Sequence, residues 1–441
     1  MNTTKNSDNI TGKKARIDLG FYMFTPAIGG AERLLRDMLF MIDREKFKIT
    51  LFYESWPEFD AFLGLDKRPD IKAIPVPIFE IGGHISTHNP AKNFLVTAKD
   101  IQQKHFSLLK SMLRPFNALL TYLLLVPNVV ILFRAFRKQK PDVLHIINGG
   151  YPASISARGA AIAARLAGIP ACVMTVCCSP TKRTFPRFIE KKIDRLVYDC
   201  VNKFIIPAEP VARLLMDLRG FGPSKISTIT WGVPIPKTHL TDSAILDMRR
   251  SLKIPDGVKV IGNIARFELR KGHRWLVDAV FMLAKKINNF HLVLVGDGPA
   301  KKEVELQVAA LGLKDKVTFA GYRTDTNEVT QIFDIFAYPS MLEGLPYSVL
   351  EAMAQSKPIV ATFADGILEA VSNGKTGFLV PPEDPVALAN AMERLLTDPA
   401  LAESMGKAAF SRFEGRYTIE KMIRDNELLY ERLSARNSNE K

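Results

Sequence analysis

The sequence predicts an α/β protein made of two domains, each a parallel sheet covered by helices, facing one another across a cleft. Three observations lead there. At 441 residues the chain exceeds what one hydrophobic core usually supports. From Lys259 onward, short apolar runs alternate with helical patterns, as expected of strands buried on both faces by crossover helices. A Pro-rich stretch, "WGVPIPKTH", divides this half from an earlier one of similar style and suits a hinge at Val233 to Thr238.

In the first half, "RIDLGFY", "KITLFY", "IKAIPV", "DVLHIIN", "ACVMTVC" and "NKFIIPA" read as strands, with "GGAERLLRDMLFMI" and "SISARGAAIAARLAG" as helices between them. In the second, "KVIGNIA", "HLVLVG", "KVTFAG", "IFAYPS", "PIVAT" and "GFLVP" are the strands, and "HRWLVDAVFMLAKK", "KKEVELQVAALG" and "PVALANAMERLL" the helices. The expected units are Rossmann-like domains over residues 15–233 and 234–415, followed by a helix over 416–434. Open sheets of this kind bind ligands outside the carboxyl ends of their strands, so two facing sheets share a cleft.

With 60 basic and 46 acidic residues, the net charge of +14 biases the surface toward anions such as nucleotides, nucleic acid or acidic lipid headgroups. Cys172, Cys177, Cys178 and Cys200 lack paired C-x-x-C spacing and have no histidine at zinc-ligand distance, which fits buried thiols in a reduced cytosol. The polar opening "MNTTKNSDNITGKK" has no apolar core of the secretory kind and reads as a disordered lead-in. "PFNALLTYLLLVPNVVILF", residues 115 to 133, is uncharged and nearly long enough to span a bilayer, but Pro127 and Asn128 interrupt it. From Thr87 to Lys140 there are nine Lys or Arg against the single acid Asp100. A basic, apolar element of that kind lies on an anionic membrane rather than crossing it. Nucleic-acid binding calls for aromatics interleaved with the basic clusters on an exposed sheet. Here the basic stretches "KHFSLLKSMLRPF" and "KRTFPRFIEKKIDRL" fall on apolar helices instead.

Chemistry is expected in the loops at strand ends. "FYMFTPAIGGAERLL" brings Gly29 and Gly30 to a helix start, where backbone N–H groups can meet a phosphate closely; a plain tight turn is the other reading. "GNIARFELRKGH" places Arg266 and Lys271 after the first strand of the second half, a fork and a point charge suited to a diphosphate unless both are merely solvated. In "PSMLEGLPYSVLEAMAQ", Pro346 fits a first helical turn, so Glu343 falls on the loop before the helix and Glu351 in its second turn. Residues eight apart on a helix differ by roughly 80° and about 12 Å along the axis. A retaining glycosidase needs its carboxyl groups about 5 Å apart, so these two are poor partners for acid and nucleophile. They are better placed to hold two ends of one extended ligand, each accepting hydrogen bonds from vicinal hydroxyls.

At this point the residues resemble a known family. "EGLPYSVLE" looks like the E-x7-E motif of retaining GT-B glycosyltransferases that use nucleotide sugars (group 1, family 4), and "ARFELRKG", "LVLVGDGP", "FAGYRTD", "KPIVAT" and "GKTGFLV" follow that family in order. "IGGAERLL" and, more weakly, "KPDVLHIINGG" extend the likeness to the first half. The resemblance implies that Glu351 binds the donor ribose, Arg266 and Lys271 its diphosphate, and the Gly29–Gly30 loop closes on that diphosphate from the other domain. It also implies that Glu343, with backbone amides around Gly344, Leu345 and Pro346, contacts the transferred sugar, and that Tyr322 and Arg323 flank the base. The last helix is expected to cross back to the first domain. The family's reaction retains anomeric configuration without a metal or other cofactor, and the chain has no D-x-D sequence. The implied partners are a UDP- or GDP-hexose or a UDP-N-acetylhexosamine, and a glycan or lipid-linked acceptor at the cytoplasmic face of the membrane, as in polysaccharide or lipopolysaccharide synthesis.

The sequence departs from the family on the acceptor side. Many relatives carry a histidine two residues beyond His145, where this chain has Ile147, and another after the following strand, where it has "CCSP" at Cys177 to Pro180. His145 is then expected in the core, with Asn148 supplying a polar contact to the reaction. Without those histidines, a catalytically inactive sugar-binding subunit is the alternative.

Overall fold

The computed structural model describes residues 16–25, 27–80, 121–183 and 187–439. Two parallel sheets form the frame. The first has seven strands in the order β3-β2-β1-β4-β5-β6-β7. These are β1 (Ile17–Met23), β2 (Phe47–Tyr53), β3 (Lys72–Pro75), β4 (Val143–Asn148), β5 (Ala171–Val176), β6 (Lys203–Ile206) and β7 (Ile226–Thr228). The second runs β10-β9-β8-β11-β12-β13. Its strands are β8 (Lys259–Ile264), β9 (Phe290–Val295), β10 (Val317–Gly321), β11 (Ile335–Tyr338), β12 (Ile359–Thr362) and β13 (Gly377–Val380). Residues of β4, β5 and β9 are buried along their whole length because helices cover both faces of the sheet. The short, part-exposed edge strand β7 has no apolar run to announce it.

The strand order locates the crevices. β1 pairs with both β2 and β4, and β8 with both β9 and β11, so each sheet reverses its winding beside its first strand. At such a switch point the two flanking loops part and leave room for a ligand. In the first domain these loops lead to Gly29 and follow Asn148; in the second they carry Arg266 to Lys271 and Ser340 to Pro346. The loops singled out from the sequence therefore meet at the two places where the topology opens.

The chain crosses between domains twice, and the crossings run side by side: Val233 N donates to the Tyr417 carbonyl at 3.0 Å and Ile419 N to the Val233 carbonyl at 3.1 Å. The last helix, Ile419–Asn439, packs on the first domain. There the Tyr430 hydroxyl lies 2.7 Å from His145 Nδ1, Thr175 Oγ1 is 2.6 Å from Nε2, and Glu427 accepts the Asp43 N–H at 2.8 Å. His145 is thus a core residue with both ring nitrogens satisfied, and burial pushes its pKa down to about 3, so the ring is neutral at physiological pH.

The apolar segment resolves in part into the helix Leu125–Gln139. Asn128 is fully buried and clamps the backbone of Phe79 from both sides, its Nδ2 donating to the carbonyl at 2.7 Å and its Oδ1 accepting the N–H at 2.9 Å. A polar side chain sits inside this apolar run because it has a structural partner. No described helix is long and apolar enough to cross a membrane. Lys104, Lys110 and Arg114, on the stretch read as a membrane element, lie outside the described residues.

Candidate active site in the interdomain cleft

The second domain supplies the floor of the cleft. Strand β11 ends at Tyr338, the chain turns through Ser340 and Glu343, and the helix Tyr347–Ala354 begins after Pro346. Pro346 is the N-cap, with φ −74° and ψ 124°, one position before the first turn expected of it; its ring sets the backbone entry and its missing N–H costs nothing there. Glu351 lies in the second turn and is buried.

Glu343 is held through one oxygen. Its Oε1 accepts from Lys271 Nζ at 2.5 Å, Ser340 Oγ at 2.6 Å and the Tyr338 hydroxyl at 3.1 Å, with Arg270 Nη1 at 3.6 Å. The Tyr338 hydroxyl in turn accepts from Lys271 Nζ at 3.0 Å. Since these contacts all fall on Oε1, Oε2 keeps its accepting capacity for a ligand. The Lys271 and Glu343 side chains are only 11% and 7% exposed. Burial by itself pushes the Glu343 carboxyl up, but the charges of Lys271 and Arg270 outweigh it and hold the group below its ordinary range. The pair is therefore ionised and rigid, as a group meeting developing charge must be. Gly272 permits this geometry: it has φ +72°, and a Cβ there would stand 2.0 Å from the Pro339 carbonyl.

Glu351 lies farther along the cleft and meets the first domain. Arg33 Nη1 donates to its Oε1, and the guanidinium stacks over the Tyr347 ring, 4.8 Å from the centroid. Gly30 faces the same ring, with room for a Cβ at 3.6 Å. Beside it, Glu32 is buried near Thr25, the helix-start N–H groups of Gly29 and Glu32, and the charge of Arg266; burial pushes its carboxyl up. The anion-binding turn read from Gly29 and Gly30 thus already faces a carboxylate of its own helix.

The opposite wall is the loop after β5. Ser179 Oγ lies 2.8 Å from the Glu343 carbonyl and also hydrogen-bonds Asp365. Gly344 packs against the Cys177 carbonyl so closely that a Cβ would lie 1.8 Å from it. "CCSP" therefore occupies the wall beside Glu343 and Gly344. Ile147 is buried in the first domain's core, and Asn148, at the end of β4, is buried with its Nδ2 unpartnered among the described residues and its Oδ1 3.5 Å from the Ser154 N–H. Gly344→Ala is expected to hold the domains apart at this contact and cut turnover about tenfold or more with the melting temperature nearly unchanged, since a shift of about 1 Å in a reacting geometry costs on that order. Steady-state rates beside thermal melts check it.

Of the remaining residues, Leu345 is buried under the loop, while Arg266 lies at the rim 3.4 Å from Glu268. Tyr322 is 70% exposed, and Arg323 forks onto both oxygens of Asp325. The structure gathers Glu343, Lys271 and Gly344 to Pro346 into one cluster and joins Glu351 to the Gly30 helix, but leaves Tyr322 and Arg323 apart from both. Sequence reasoning missed Tyr338, Ser340, Arg270 and Arg33. Tyr338 passes for an apolar strand residue, whereas Arg33, one turn beyond Gly29 and Gly30, carried a signal in its position.

Residues 245–412 match the model of the family described as glycosyl transferases group 1. The second domain is a group 1 glycosyl transferase domain. The chain is 30% identical over 166 residues to the alpha-D-kanosaminyltransferase of Streptomyces kanamyceticus, covering 37% of this chain and 43% of that protein. It is 25% identical over 302 residues to the UDP-Gal:alpha-D-GlcNAc-diphosphoundecaprenol alpha-1,3-galactosyltransferase of Escherichia coli, covering 67% of this chain and 76% of that one. The chain spans about half the length of several of the curated relatives it matches. Among solved structures, Anabaena HepE in complex with UDP superposes with a TM-score of 0.70 at 20% identity, over 95% of this chain and all of HepE. The fold is thus the GT-B arrangement, with the group 1 domain as its second half.

Proposed function

We propose that the protein transfers a hexose or N-acetylhexosamine from a nucleotide sugar to a glycan or lipid-linked acceptor, with retention of configuration and without a metal, at the cytoplasmic face of the membrane. The observation that carries this is the pair of buried carboxylates along the cleft floor: Glu343, locked through Oε1 by Lys271, Ser340 and Tyr338, and Glu351, one helix away. The second meets the ribose and the first the sugar hydroxyls. Arg266, Arg270 and Lys271 take the charge of the leaving diphosphate, which serves as base toward the acceptor hydroxyl. Support comes from the HepE complexes with UDP, with UDP and glucose, and with UDP-glucose, and from a relative whose name gives a UDP-galactose donor and a diphosphoundecaprenol acceptor. Nucleoside diphosphate release from a panel of UDP- and GDP-sugars tests it, with and without a membrane extract as acceptor source.

The first domain offers a surface for the membrane. Helix Arg187–Cys200 exposes Phe188 (65%) and Leu196 (45%) among the exposed Lys191, Lys192 and Arg195. Helix Leu125–Gln139, on the other side of Ile155–Leu166, exposes Val126 and Val130. Apolar anchors ringed by basic residues suit an anionic bilayer. Replacing Lys191, Lys192 and Arg195 by glutamine is expected to weaken cosedimentation with anionic vesicles about a hundredfold, near 1 kcal/mol for each charge. Equal sedimentation of wild type with neutral and anionic vesicles would contradict it.

A second reading, an inactive sugar-binding subunit, is favoured by one observation: His145 and Ile147 are both buried in the core, so β4 delivers no imidazole to the cleft. Donor binding without diphosphate release under any acceptor condition would select it.

A further inference from the structure

Glu351 is assigned above to a ribose, yet its Oε1 is already taken by the guanidinium of Arg33, from the opposite domain. The contact is not an incidental surface pair: the Glu351 side chain is 4% exposed, and the Arg33 guanidinium lies over the ring of Tyr347, the first residue of the helix that carries Glu351. A second acceptor waits on Arg33's own helix. Asp37, one turn on, has its Oδ2 3.8 Å from Arg33 Nε, and this buried oxygen has no hydrogen-bond partner among the described residues. The surrounding charges are Arg33, Arg36, Asp37 and Glu351, with burial pushing the Asp37 carboxyl up to about 6. One guanidinium thus has two carboxylates within a short swing, one fully engaged and the other waiting.

We propose that Arg33 is an internal competitor for the ribose position: it occupies Glu351 in the empty cleft, and the ribose hydroxyls of the donor displace it onto Asp37. The inference rests on the assignment of Glu351 to the ribose. Its consequence is a specificity check, because only a ligand that offers hydroxyls to Glu351 compensates for the broken ion pair; a bare diphosphate binds without disturbing it. Because the Arg33 contact bridges the two domains, a ligand that displaces it also releases one tie between them, whereas a bare diphosphate leaves that tie in place.

Calorimetric titration of UDP and of inorganic pyrophosphate into wild type, Arg33→Met and Asp37→Asn tests this. Arg33→Met is expected to bind UDP about tenfold more tightly, one partly buried ion pair no longer having to be broken. Asp37→Asn is expected to bind UDP more weakly, since the displaced guanidinium loses its resting place. Pyrophosphate affinity should be the same in all three proteins. Arg33→Gln replaces Arg33→Met if the latter fails to fold, with the same direction expected. Unchanged UDP affinity in both variants, or an equal loss of UDP and pyrophosphate in Arg33→Met, would overturn the proposal, the second by making Arg33 a phosphate ligand. Wild type that binds pyrophosphate but not UDP would count first against the nucleotide-sugar reading, and the competitor falls with it.

Discussion

Lys271→Met should both unfold the protein more easily and stop transfer, while the double variant Lys271→Met/Glu343→Gln should regain the stability and not the activity. Removing one member of a buried ion pair leaves the other charged and unpaired, at about 3–5 kcal/mol. In a domain of this size that is a fall in melting temperature of roughly 10 °C. Neutralising Glu343 as well removes the stranded charge, so the melt recovers, but the carboxylate proposed to accept the sugar hydroxyls and one of the three cations proposed to balance the leaving group are gone. The pH dependence follows from the same pair. Because the Glu343 carboxyl is held below its ordinary value of 4.5, its contribution is complete above that value and is lost as pH falls through the lower, folded one. The stability gap between wild type and the double variant should therefore stay constant near neutrality and change only on acidification below 4.5. A single variant as stable as wild type would mean that Lys271 and Glu343 are not coupled as the geometry indicates.

Glu351→Ala should raise the dissociation constant for a nucleoside diphosphate about a hundredfold, the ordinary effect of deleting a buried charged acceptor, with transfer falling in proportion. Because Glu351 also anchors Arg33 across the cleft, the variant's empty cleft should open more readily, and small-angle scattering of the unliganded protein should show a larger radius of gyration. Wild-type affinity in Glu351→Ala would remove the ribose from this end of the cleft.

The alternation of strand and helix after Lys259 was legible because parallel strands covered on both sides must be apolar throughout. The six strand runs of that half correspond to β8 to β13. Strand β7 was not legible: three part-exposed residues leave no pattern. At the site, Pro346 marked the helix start, which put Glu343 on the preceding loop and Glu351 in the second turn, where both lie. What holds them was hidden. Lys271 read as a free diphosphate ligand, but sheet topology brings the loops after β8 and β11 together and turns it onto Glu343. Arg33 and Glu351 are 318 positions apart, and only domain packing joins them. The departures at Ile147 and Cys177 to Pro180 were visible as residues. Their consequence, a wall in which Gly344 lies against the Cys177 carbonyl, required the fold.

If Glu351 and Glu343 hold the two ends of one donor, as proposed, a calorimetric comparison of UDP with a UDP-hexose on wild type, Glu351→Ala and Glu343→Gln separates the two contributions. Glu351→Ala is expected to lose most affinity for both ligands, whereas Glu343→Gln is expected to bind UDP like wild type and lose only the increment contributed by the hexose. Equal loss of UDP affinity in both variants, or a hexose increment that survives in Glu343→Gln, would contradict it.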